Sequence, residues 1–131
     1  MKQYLVDTNI VLRYLLNDVP KQATLVEKYF IAAKERTITL FIPIIVFMEL
    51  DFALTKFYSV SKIKTIEYLC SVAKLGYVDV QNRDVVLRAL SLYKNSVVSF
   101  VDTLLVAESV YQDKELLTFD QKLKRLALTN T

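Results

Sequence analysis

Tyr4-Leu-Val-Asp-Thr-Asn-Ile-Val-Leu-Arg-Tyr-Leu-Leu16 sets the fold class. Tyr4 to Asp7 reads as a buried first strand, and Asn9 to Leu16 as a short helix ending near Asn17-Asp18. A strand that runs through an aspartate straight into a helix is the start of an α/β unit. The rest of the chain repeats that alternation, which predicts an α/β fold with a parallel sheet. Pro20 suits the first turn of a second helix, along which Ala23, Val26, Tyr29, Phe30 and Ala33 recur at helical spacing. Thr37 to Ile42 is rich in β-branched residues and predicts a second strand. Pro43 opens a third helix that runs to about Phe57.

Ser61 caps a fourth helix, with Ile63, Ile66, Leu69, Cys70 and Ala73 on its apolar face and Gly76 as the left-handed glycine that ends it. Tyr77 to Val80 reads as a third strand, followed by helices over Asp84 to Lys94 and Ser99 to Tyr111. Glu115 to Thr118 reads as a fourth strand, and Gln121 to Leu128 as a last helix.

The 131 residues fit one domain, 1–131, and 53% of them are hydrophobic. A single glycine excludes both glycine-rich phosphate loops and flexible linkers. The lone Cys70 cannot form an intrachain disulfide, which suits a reducing, cytoplasmic setting. The start of the chain reaches a charge too soon for a signal peptide, and no run approaches a membrane span.

Four acids carry the chemistry: Asp7, Glu49, Asp102 and Asp120. The chain has no histidine, so a metal site must be built of oxygen ligands, and those select Mg²⁺ or Mn²⁺ over zinc. Ligands in parallel α/β sheets bind beyond the carboxyl ends of strands, where Asp7 and Asp120 are expected. Capping offers a plainer account of three of the acids. Asp7 and Asp120 stand where N-caps belong, and Ser99-x-x-Asp102 has the form of a capping box. Glu49 has only apolar neighbours one turn away, Ile45, Val46, Phe52 and Ala53, which predicts a buried carboxylate that needs either a Lys or Arg partner or a bound metal cation. Asp51 reads as solvated, on the opposite face. The four acids are expected to share one pocket. The eight tyrosines and seven phenylalanines read as core packing rather than as a surface for bases. Net charge is +3; setting the four acids aside leaves 17 basic against 10 acidic residues, or +7, a balance that attracts polyanions.

Together, Val6-Asp-Thr-Asn9, Glu49-Leu50, Asp102-Thr-Leu-Leu-Val-Ala and Leu116-Leu-Thr-Phe-Asp120 resemble a PIN domain over nearly the whole chain. In size and layout the chain is most similar to the VapC-type toxins of toxin–antitoxin pairs. The resemblance implies a three-layer α/β/α sandwich around a mostly parallel sheet of four to five strands. It implies a Mg²⁺- or Mn²⁺-dependent endoribonuclease that acts on RNA, forms a homodimer and is blocked by a cognate antitoxin. Asp7, Glu49, Asp102 and Asp120 would be the catalytic, metal-binding quartet, with Thr8, Asn9 and Thr118 as polar supports. Ser99 stands where many relatives carry a further acid. Bound Mg²⁺ would relieve repulsion among the carboxylates and activate water for in-line attack on a phosphodiester. The alternative is a catalytically silent nucleic-acid-binding or assembly module of the same fold. A dehalogenase-like phosphatase is disfavoured, because Asp7 is followed by Thr8-Asn9 instead of the Asp-x-Asp it needs. A response-regulator receiver is disfavoured for want of an acidic pair.

Overall fold

Strand β1 (Lys2–Leu5) feeds through Val6 and Asp7 into helix α1 (Thr8–Leu16), and α2 (Pro20–Lys34) returns the chain to β2 (Ile38–Ile42). This is the connection that two parallel neighbouring strands require. The computed structural model describes residues 1–130 and divides into two compact units, Met1–Gln81 and the residues from Asn82 onward. In the first unit α3 (Ile44–Phe52) leads into a π-helical turn (Ala53–Phe57), then α4 (Lys62–Ala73) and β3 (Asp79–Val80). The sheet is wholly parallel in the order β1-β2-β3, with Leu5 opposite Phe41 and Ile42 opposite Val80. Helices flank it, and the core gathers Val11, Phe30, Ile42, Phe47, Leu50 and Leu69, all essentially without solvent contact. The second unit holds α5 (Arg83–Lys94), α6 (Phe100–Tyr111) and α7 (Gln121–Thr129). There Val106, Leu123 and Ala127 form a small core, with Leu92, Leu116 and Leu126 packed on it. Among the described residues no helix is long and apolar enough to cross a membrane.

Local chemistry accounts for the element ends. Pro20 opens α2, where a missing N–H costs nothing. Ser61 caps α4 by accepting the Lys64 N–H at 3.2 Å. Tyr14 stacks on Phe30, with ring centroids 4.0 Å apart, and burial together with a hydrogen bond to Tyr77 pushes its hydroxyl up to about 12. Arg13 donates to both Asp18 and Tyr58 and so joins the end of α1 to the residue after the π-turn. Burial opposes the charge on Asp18, but the hydrogen bond from Arg13 outweighs it and holds the carboxyl below its ordinary range.

Several expectations need correction. The first strand is Lys2–Leu5 and is not buried: among the described residues β1 has a ladder only on its β2 side, and Leu5 is 74% exposed. Pro43 caps α3 from outside rather than opening it, and the third helix changes to π geometry from Ala53. Gly76 does not use the left-handed region; α4 ends through Lys74 and Leu75, whose N–H groups reach back to Cys70 and Val72. Ile63 is exposed, and Thr65 takes the buried place beside Ile66. The third strand has two residues, Asp79–Val80. Residues 115–118 form no strand, so the sheet has three strands among the described residues instead of four to five. The physical reason lies within the second unit, which offers this segment no strand to pair with; an extended segment without a ladder partner leaves its peptide groups to solvent.

The end of α2 holds a strained residue. Arg36 sits at φ 62°, its N–H bonded to Ala33 O and that of Thr37 to Ala32 O, each at 3.0 Å. This paired closure normally places glycine at that position. Replacing Arg36 with glycine removes the Cβ clash but loosens the unfolded chain. The net gain should be about 0.5–1 kcal/mol, read as a rise of a few degrees in a thermal melt, whereas Arg36→Val should lower the midpoint.

Candidate active site

Parallel pairing fixes the first two acids. Val6 N–H donates to Phe41 O at 2.9 Å, which extends the β1–β2 alignment up to Asp7. Asp7 follows β1 and caps α1, its Oδ1 accepting the Ile10 N–H at 3.1 Å. β2 ends next to β1 and passes through Pro43 into α3, which carries Glu49. Both acids thus stand on helices that begin at the carboxyl end of one parallel sheet. β3 completes that end: Gln81 N–H donates to Ile42 O, and the Gln81 side-chain oxygen accepts the Ile44 N–H at 2.8 Å. Gln81 therefore satisfies the first turn of α3, a role that sequence reading missed; its one signal was a polar residue just after the third strand.

Glu49 is exposed, not buried. Its neighbours Ile45 and Phe52 are each 56% exposed, so the apolar residues around it mark an outward stripe. The expected cost of burying this carboxylate does not arise. No side chain pairs with it among the described residues. Asp51, expected to be solvated, is half-buried.

In the second unit Asp102 lies in the first turn of α6, half-buried. Ser99 is the N-cap, accepting the Asp102 N–H on its Oγ at 3.1 Å. A full capping box would return the Asp102 carboxylate to the Ser99 N–H. That return bond is not made, and the carboxylate has no partner among the described residues. Asp120 caps α7 through Oδ1 and the Leu123 N–H at 3.0 Å, and its own N–H donates to the Thr118 hydroxyl at 3.1 Å. Thr118 thus supports Asp120 directly. Thr8 and Asn9 occupy the first two positions of α1, where their side chains make no hydrogen bond among the described residues. A hollow of about 660 Å³ in the second unit is lined by Ser109, Lys114, Leu116, Lys124 and Leu128, and neither Asp102 nor Asp120 faces it.

The donor chemistry suits a hard divalent cation. All four groups are carboxylates, Asp7 and Asp120 each keep an oxygen free of protein hydrogen bonds, and Glu49 and Asp102 keep both. Each unit supplies two of the four acids. Among the described residues no three or more His, Cys, Asp or Glu side chains are gathered closely enough to hold a metal ion.

These features define a small α/β protein with one carboxylate just beyond a parallel strand, others at the starts of helices and one on an exposed helix face. The PIN domain family model matches residues 4–128, a span that includes all four acids, and the chain belongs to the PIN domain family. PIN domains are generally metal-dependent nucleases acting on nucleic acid. No curated protein and no solved structure matches the chain.

Asp7 can be tested as cap and as ligand separately. Asparagine caps as well as aspartate, so Asp7→Asn should melt at or slightly above the wild-type temperature without metal. Asp7→Ala should lose about 1 kcal/mol. A melt of Asp7→Asn that matches Asp7→Ala would show that the negative charge itself stabilises α1.

Proposed function

We propose that this protein is a Mg²⁺-dependent endoribonuclease, active with Mn²⁺ as well, and the toxin of a type II toxin–antitoxin pair. Asp7, Glu49, Asp102 and Asp120 are its catalytic carboxylates. In this reading residues 1–131 act as one PIN domain with the family's fuller sheet, and a cognate antitoxin silences the enzyme. The protein works in the cytoplasm as a homodimer, through apolar residues left exposed on α2 such as Leu25 and Ile31.

One observation carries the proposal: the half-buried Asp102 carboxylate points to no protein partner although its helix N-terminus offers one. A carboxylate kept out of its own capping box is available to a cation. Family membership across residues 4–128 supports the same reading. Bound Mg²⁺ would supply charge neutralisation and a more acidic water for attack on phosphorus. Asp102 and Asp7 would hold the ion, while Glu49 and Asp120 orient water or complete the shell. Thr118 fixes the Asp120 backbone, and the N–H groups at the starts of α1, α6 and α7 steady the carboxylates electrostatically. With no histidine in the chain, proton transfer falls to carboxylates and water.

A second reading, a silent nucleic-acid-binding module, is favoured by the lack of a gathered three-acid cluster among the described residues. One assay separates the two. Purified protein should cut single-stranded RNA with Mg²⁺ or Mn²⁺ and stop when EDTA is added. Asp102→Asn should cut at least 100-fold more slowly while keeping its melting temperature, in the range seen when an electrostatic catalytic group is lost. RNA that is bound but never cut would establish the silent module.

A further inference from the structure

Aromatic residues at the end of α3 are not core residues, contrary to the expectation from sequence. Phe57 is 75% exposed and Phe52 is 56% exposed. Their rings meet edge to face, with centroids 5.7 Å apart at 78°. An edge-to-face contact covers a face of only one of the two rings. Ile45, Glu49 and Phe52 follow one another at four- and three-residue steps and so share one helix face. The π-turn then carries Phe57 round to meet Phe52. Tyr58, the next residue, is held by Arg13 at 3.1 Å, which anchors the turn that presents Phe57. Residues 53–64 contain Lys56, Lys62 and Lys64 and no acid. Lys56 is exposed and pairs with no side chain among the described residues.

We propose that Phe57, backed by Phe52, is a stacking platform for an unpaired base of single-stranded RNA, with Lys56 contacting the adjoining phosphate. The proposal rests on the ribonuclease reading and gives the Glu49 face its substrate-positioning element. Glu49 and Phe52 lie three residues apart, about 4.5 Å along the helix. A base held on the aromatic pair would therefore bring its backbone close to this carboxylate. Every base has a π-face, and a duplex hides its faces in its own stack, so the platform selects unpaired strands without selecting sequence. A second protein chain suits this surface less well, because Glu49 interrupts the apolar stripe and the exposed Lys56 adjoins Phe57, whereas interface centres are depleted of charge.

The chain has no tryptophan, so Phe57→Trp places a single reporter on the platform. Binding is read in EDTA, which makes it independent of catalysis. A single-stranded oligoribonucleotide should quench the tryptophan emission, the matching duplex should do so only weakly, and heparin, a polyanion without bases, should not. By fluorescence anisotropy, Phe57→Ala should bind the single strand roughly 5-fold or more weakly, while Val97→Ala, at an exposed apolar residue of the second unit, binds as the wild type does. Unquenched tryptophan, or wild-type affinity in a folded Phe57→Ala protein, overturns the proposal. Loss of a dimer in Phe57→Ala without loss of RNA affinity also overturns it and assigns the face to a second copy of the chain. A Phe57→Ala protein that still cuts RNA and still binds it normally removes the platform and leaves the ribonuclease reading standing. A protein that binds through Phe57 but never cuts does the reverse.

Discussion

Unsatisfied N–H groups at helix starts hold two of the four candidate acids, and that electrostatic constraint organises the candidate site. Asp7 and Asp120 each accept one backbone N–H, and Asp102 sits in a first turn already capped by Ser99. The positive end of a helix stabilises a carboxylate without using up all its oxygens. Carboxylates can therefore keep oxygens free for a cation, which the proposed metal-dependent nuclease requires. The parallel sheet contributes the other half of the constraint. Because β1 and β2 run side by side, the helices bearing Asp7 and Glu49 must start at the same sheet end.

Capping and catalysis are thus not competing explanations for these residues. Asp7 and Asp120 do what a cap does, and the geometry that makes them caps leaves oxygen free for a cation. Glu49 differs. It has no helix start to hold it and lies on an outward stripe with Ile45 and Phe52. Its setting suits a group that meets substrate more than one that anchors an ion at depth.

Local signals were the legible ones in the sequence. Pro20, Ser61, Ser99 and Asp120 mark helix starts through hydrogen-bonding chemistry that needs only a few neighbouring residues. Features set by distant partners were not legible. Leu5 is apolar and β-prone, yet it lies 74% exposed at the end of an edge strand. Residues 115–118 have strand-like composition but find no ladder in their own unit. The apolar flanks of Glu49 looked like a core face, and periodicity alone cannot tell an inward stripe from an outward one. Gly76 looked like a helix terminator, yet α2 closes on Arg36 in the conformation that glycine was expected to supply at the end of α4.

The proposed activity requires these carboxylates to bind a hard divalent cation. Titration of metal-free protein with Mn²⁺ by isothermal calorimetry tests it most directly. Saturable binding is expected, weakening at least tenfold in folded Asp102→Asn and in folded Asp7→Asn. Absence of saturable binding, or binding unchanged in both variants, would contradict it.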